Sequence, residues 1–137
     1  GAKPVPFNPN RVKYDEWGAA LVALAGPLTN FVIAFLVFGI YVLLGAPGGF
    51  LGQFMTTALM VNLGFFVFNM IPIPPLDGSR VIYALAPQFV RRGMEAIEQY
   101  GVIFVFAIVI VASPLLGTFM GTAIQAILNL FTHVFAV

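Results

Sequence analysis

Asn69-Met70-Ile71-Pro72-Ile73-Pro74-Pro75-Leu76-Asp77-Gly78 closes a run that carries no ionised side chain from Trp17 to Leu76. Asp77 is the first charge after it. A carboxylate at the edge of a membrane-sized apolar segment is costly, and such a position is a functional one by default. Pro72, Pro74 and Pro75 have no amide donors and stop a helix from continuing regularly. Backbone broken in this way at membrane depth survives only where protein or a watery cavity shelters it. A carboxylate offered into such a shelter is what a proton relay, an ion site or a metal site requires. The stretch thus predicts an all-α membrane protein: a polytopic bundle of transmembrane helices with a short extended N-terminal segment.

Composition agrees. The chain is 61% hydrophobic and 8% charged, with no cysteine, where a soluble domain carries roughly a quarter charged residues. Its polar groups cannot cover a water-facing surface, so the partner is a lipid bilayer. A net charge of +1 offers no basic stripe and argues against nucleic acid. The missing cysteines exclude disulfides and thiolate metal ligands. The chain opens Gly1-Ala2-Lys3 without an initiator Met or a signal sequence, which is expected of a processed chain or, as we favour, a piece of something longer.

Outward from the proline stretch, the apolar run divides at Gly45-Ala46-Pro47-Gly48-Gly49. Residues 17–44 and 50–71 each suffice to cross a hydrocarbon core at about 1.5 Å per residue. Trp17 and Tyr41 stand near the two ends of the first span, at the depth amphipathic rings prefer. Residues 1–16 are polar and punctuated by Pro4, Pro6 and Pro9, and are expected to be extended on the cytoplasmic side. Asp77–Ala86 predicts a short helix closed by Pro87. Arg91–Gln99 is a charged segment within a cytoplasmic loop or helix over 77–99, and Arg91 and Glu95 are spaced to pair on one helix face. Residues 100–137 are uncharged apart from His133, with a break at Ser113-Pro114, and predict either two spans or one span plus a partly re-entrant helix.

Lys3, Arg11 and Lys13 precede the first span, and Arg80, Arg91 and Arg92 follow the second, while the loop between has no basic residue. Two crossings return the chain to its starting side, so the positive-inside rule puts both clusters, and Asp77, near the cytoplasmic face.

Each polar residue in this apolar setting has an ordinary reading beside a functional one. Asp77 could be the N-cap of the helix that follows, accepting backbone amides, or a hard oxygen ligand or proton carrier. Zinc takes Asp oxygen alongside His nitrogen, and a catalytic site uses three protein ligands and one open position. The single histidine, His133, is ordinarily an interfacial or packing residue, and with Asp77 it makes two ligands at most. Asn30 and Asn69 read as interhelical hydrogen-bonding groups or as donors toward developing negative charge. Gly26-Pro27 reads as a kink or a close helix approach, and Gly117-Thr118-Phe119-Met120-Gly121 as a small-residue helix contact.

The pattern Asn69-x-x-Pro72-x-Pro74-x-Leu76-Asp77-Gly78 resembles the signature of the site-2 protease family of intramembrane zinc metalloproteases. Gly1-Ala2-Lys3-Pro4-Val5-Pro6-Phe7-Asn8-Pro9 and Ala25-Gly26-Pro27-Leu28-Thr29-Asn30 resemble further stretches of that family in matching order, so the likeness covers about residues 1 to 100. The resemblance implies Zn2+ as cofactor, with Asp77 its third ligand. Two His and a general-base Glu would come from a His-Glu-x-x-His helix upstream of Gly1. It implies that Asn69 takes part in catalysis by holding the substrate or the oxyanion. Lys3, Pro4, Val5 and Asn30 would bind the substrate, the first three by strand addition. The implied partners are transmembrane protein substrates and the bilayer, in a bacterial or archaeal cytoplasmic membrane, with an oligomer open. The chain itself contains no His-Glu-x-x-His, so by itself it is expected to be inactive. The rival expectations are a non-catalytic homologue that binds membrane proteins as a scaffold, and a cation or proton transporter built on the broken helix.

Overall fold

The computed structural model describes residues 9–137. Within them the chain forms six helices: α1 (Pro9–Leu43), α2 (Gly49–Asn69), α3 (Asp77–Leu85), α4 (Gln88–Gln99), α5 (Gly101–Val111) and α6 (Ser113–Val134). The all-α membrane class holds. Three helices are long and apolar enough to cross a membrane (15–43, 49–69 and 113–134), or four if α4 and α5, which meet at a turn of 103°, count as one bent span.

The N-terminal expectation is corrected in part. Helix α1 starts at Pro9, so residues 9–16 are helical rather than extended. Proline is well accommodated at the first helical position, where its missing N–H is one that no carbonyl awaits. The expected extended stretch over 1–8 lies outside the described residues. Pro27, placed mid-span, does not end α1, although it leaves the Ala23 carbonyl without its helical donor.

Helix α1 closes on a paired-carbonyl cap. The Ala46 N–H donates to the Tyr41 carbonyl and the Gly45 N–H to that of Val42, both at 2.9 Å, with Gly45 at φ +78°. This is the arrangement in which glycine carries a left-handed residue without a Cβ penalty. The chain then turns back as α2, and the two helices pack as a hairpin.

The core lies along the middle of this hairpin, where α6 packs onto it. Ala34, Leu59, Leu63 and Phe131 are buried together. The Phe131 ring of α6 stands 5.4 to 5.6 Å from those of Phe31, Phe35 and Phe38. Phe135 lies against Gly39, where an added Cβ would come within 2.7 Å of its ring, so α6 runs in the same direction as α1. Lipid is as apolar as these side chains, so close packing rather than water exclusion holds the three helices together. Leu21, Leu36, Phe50 and Phe54 point outward, as lipid-facing residues should.

Three further expectations change in detail. The break within 100–137 falls at Ala112, and Pro114 sits harmlessly in the first turn of α6. Among the described residues nothing lies within 4 Å of the Cβ positions of Gly117 and Gly121, because the packed face of α6 is that of Ile124, Ile127, Leu128 and Phe131. Arg91 does not pair with Glu95. Its guanidinium binds Glu16 of α1 at 2.9 Å, in a site where only 22% and 15% of the two side chains is exposed. A sheltered, two-nitrogen contact outcompetes a solvated same-helix pair.

Candidate metal centre

The site is built at the end of the α1–α2 hairpin away from its turn, where α2 gives way to the proline stretch. Met70 caps α2 by donating to the Phe66 carbonyl. The N–H groups of Ile71, Ile73 and Leu76 find the carbonyls of Phe68, Ile71 and Ile73 at 3.2, 2.9 and 2.8 Å. Pro72, Pro74 and Pro75 have no N–H to satisfy, and the Pro74–Pro75 bond is cis. The bend is thus internally paired, as irregular backbone sheltered within a membrane protein must be. Ser79, 3% exposed, donates its hydroxyl to the Leu76 carbonyl at 2.7 Å.

Gly78 lets the bend fold this tightly. A Cβ there would meet the carbonyl oxygen and carbon of Met70 and lie 2.9 Å from the Ile71 oxygen. The chain end of α2 therefore lies directly on the first turn of α3, and that contact orients the neighbouring Asp77.

Asp77 is the first residue of α3 rather than its cap. The cap position is Leu76, and no side chain caps the helix. The capping alternative accordingly has no hydrogen bond behind it among the described residues. The half-buried carboxylate instead lies over the bare backbone of Gly26 on α1, with Oδ2 3.9 Å from where a Cβ would stand. The fully buried Pro27 is its neighbour. Two stretches far apart in sequence therefore meet at one point, and α1 presents a glycine to the carboxylate that ends the uncharged run.

Asn30 lies one helical turn beyond Gly26 on the same face of α1. The Phe31 ring beside it packs 5.1 Å from Phe66 of α2. Asn69, at the end of α2, donates Nδ2 to the Phe65 carbonyl at 2.9 Å. An amide carries two N–H donors, so this bond leaves one for another acceptor. Asn62 and Thr56 likewise satisfy themselves within α2, the usual way for polar side chains to live in a span. Lys3, Pro4 and Val5 lie outside the described residues. His133 is exposed near the end of α6, its Nδ1 3.2 Å from the Asn129 carbonyl. Among the described residues no three His, Cys, Asp or Glu side chains converge to hold a metal. Asp77 suits a metal as a single hard oxygen donor.

Of the two sequence readings of Gly26-Pro27, a kink or a close helix approach, the contact at Gly26 fits the second, although its partner Asp77 was not foreseen. A methyl group at 3.9 Å is in ordinary contact, so Gly26→Ala is expected to leave metal binding by the complete protein intact. Gly26→Leu, which pushes a branched chain against the carboxylate, is expected to weaken it by about tenfold or more, the scale on which orienting groups act. Zinc titration of the two variants checks this, and equal affinities would sink the claim that Gly26 makes room for Asp77.

A second polar cluster braces the site from outside. Arg91 bridges Glu16 and the Ala84 carbonyl and lies over the Tyr83 ring with 5.0 Å to its centroid. The Tyr83 hydroxyl donates to Glu95 at 2.7 Å. That bond, with some burial and the nearby carboxylates, raises the Tyr83 pKa, while Arg91 opposes the shift. The cluster ties α1, α3 and α4 together, and its only trace in the sequence is that Glu16 and Arg91 flank apolar segments.

A family model described as Peptidase family M50 matches residues 46–113. The chain is 36% identical over 146 aligned positions to YwhC of Bacillus subtilis, named as an inferred zinc metalloprotease, covering 98% of the chain and 66% of that relative. It is 48% identical over 61 positions to MJ0611 of Methanocaldococcus jannaschii, which bears the same kind of name, covering 44% of the chain and 31% of the relative. Rip2 of Mycolicibacterium smegmatis, similarly named, is 30% identical over 106 positions, covering 72% of the chain and 38% of the relative. The chain thus spans about two thirds of the Bacillus protein's length and well under half of the other two. No solved structure matches it.

Proposed function

The chain belongs to peptidase family M50, the site-2 protease family, and from that membership we propose that the complete protein is a zinc protease that hydrolyses peptide bonds of membrane proteins within the bilayer. The observation that carries this reading is the half-buried Asp77 carboxylate, which makes no capping bond and lies against Gly26 at the end of the helical hairpin away from its turn.

Zinc, when bound, supplies a coordinated water of lowered pKa, near 7 in catalytic sites. This chain's part is to hold and orient. Asp77 would serve as one ligand to the metal, positioned by the close approach of Gly78 to Met70. A His-Glu-x-x-His helix would bring the remaining ligands and the general base, as the family resemblance implies. Asn69 keeps an N–H for a substrate carbonyl, where a donor aimed at developing negative charge contributes most. Asn30, on the Gly26 face of α1, would contact the substrate backbone, and the Lys3-Pro4-Val5 stretch would align an extended substrate by strand addition. A helical substrate must unwind first, because its amides are otherwise bonded within the helix. Transmembrane protein substrates and Zn2+ are thus the partners of this reading, with the site near the cytoplasmic face.

The test is reconstitution of the full-length protein in proteoliposomes with a single-span substrate. Cleavage inside the substrate's apolar segment, located by mass spectrometry, is expected. It should stop on removal of metal with 1,10-phenanthroline and return on adding zinc. Binding of the substrate without any cleavage at full zinc loading would point instead to the scaffold role.

A further inference from the structure

Helix α4 has three faces, of which one is buried and a second meets α3 through the Glu95 bond to Tyr83. Met94 is buried on it, with Val90 and Ile97 partly buried beside it. Gln88, Arg92, Glu95 and Gln99 recur at helical spacing along a second, exposed face. Phe89, Gly93, Ala96 and Tyr100 recur along a third, which is also exposed, with Phe89 77% and Tyr100 70% accessible. Large aromatic groups at both ends of an open stripe require a partner.

The surroundings say which. The Tyr100 ring stacks 4.8 Å from Phe104 of α5, so the stripe runs unbroken onto α5. That helix has no polar side chain, and most of its surface is open, with Ile103 and Val111 more than four-fifths exposed. A surface of that kind on a membrane protein faces lipid. At Gly101, where φ is +82°, the chain turns by 103° between α4 and α5, so α4 does not simply extend the α5 direction. Beside the stripe stands Arg92, exposed and without an ion-pair partner among the described residues, whereas Arg80 and Arg91 are paired with Glu98 and Glu16.

We propose that α4 is an interfacial anchor. Its Phe89–Gly93–Ala96–Tyr100 stripe rests in the boundary between headgroups and acyl chains, and Arg92 binds the phosphates of anionic lipid headgroups on the side of the membrane that carries Asp77. An apolar stripe with a basic residue at its polar edge is what such helices require, and aromatic rings favour that depth. Because Arg91 and Tyr83 tie α4 to α1 and α3, the anchor sets the height of the Asp77 end of the bundle against the lipid surface.

Residues 1–137 contain no cysteine; in the full-length protein, with any cysteine elsewhere replaced, single cysteines are placed at the exposed positions 88, 89, 92, 93, 96, 99 and 100 and labelled with a nitroxide. The labelled proteins are reconstituted in vesicles of phosphatidylcholine with or without phosphatidylglycerol. The ratio of collisions with oxygen to collisions with a water-soluble nickel chelate is expected to be severalfold higher at 89, 93, 96 and 100 than at 88, 92 and 99. At 89 it should rise further with phosphatidylglycerol, and Arg92→Glu should abolish that rise. Dominant nickel collisions along the stripe would mean that it faces water and would overturn the proposal. So would suppression of both collisions with spin–spin broadening, the mark of a second copy covering it. A ratio at 89 that ignores both phosphatidylglycerol and Arg92→Glu would overturn the headgroup contact.

Discussion

Asp77→Ala in the full-length protein is expected to remove bound zinc and to lower proteolysis by at least a hundredfold. Loss of a group that merely orients a ligand costs about 10–100-fold, and loss of a ligand exceeds that. The structure sharpens the test, because the rival role of Asp77 as a helix cap makes an opposite prediction. Replacing a capping Asp by Ala costs about 1 kcal/mol of stability, whereas Asn caps almost as well as Asp. If Asp77 were only a cap, Asp77→Asn would restore what Asp77→Ala loses. If it is a ligand, both variants lose zinc, and the metal-free forms unfold at nearly the wild-type temperature, since the carboxylate makes no capping bond. Metal content by mass spectrometry and thermal unfolding of the metal-free protein separate the two. Full zinc occupancy in Asp77→Asn would remove Asp77 from the metal centre.

Gly78→Val is expected to destabilise the protein by about 3 kcal/mol or more, at the upper end of overpacking effects, and to abolish zinc binding with it. The Cβ it introduces runs into the carbonyl of Met70. A flexible side chain could rotate away from such a clash, but backbone cannot, so α3 must lift from the end of α2 and carry Asp77 off Gly26. Gly117→Ala is the control, since nothing among the described residues lies within 4 Å of its Cβ position and Ala favours a helix over Gly by up to about 1 kcal/mol. Unfolding in detergent micelles, with zinc content measured alongside, checks the pair. A Gly78→Val protein as stable as the wild type would show that the close contact of α2 and α3 is not required.

The proline stretch shows how far local reading reaches. Three prolines within four residues forbid a helix whatever surrounds them, so the break between α2 and α3 was legible from Pro72, Pro74 and Pro75. The same reasoning misjudged Pro9, which interrupts nothing because it begins α1. Pro27, read as lying within a single span, does lie inside α1. Whether a proline breaks a helix depends on what its neighbours can accept, and that is a tertiary matter. Asn69 was legible as a polar residue at the critical place, but not its bond to the Phe65 carbonyl. Arg91 and Glu95 had the spacing of an ion pair, yet the guanidinium went to Glu16, 75 positions away, because the helix packing creates a sheltered site there.

By itself the sequence determined that this is an all-α membrane protein, where its first two long apolar helices run, that α2 ends in a bend before a lone carboxylate, and which family it resembles. All of these follow from properties carried by short stretches: run length of apolar residues, absence of amide donors, and motif order. Only the tertiary structure decided that the Asp77 carboxylate lies over Gly26 rather than capping α3, that Arg91 joins α1 to α4, and that α4 keeps an aromatic stripe open beside α5. Those outcomes are contacts between helices, and a contact depends on which faces of distant segments pack together, which no local propensity encodes.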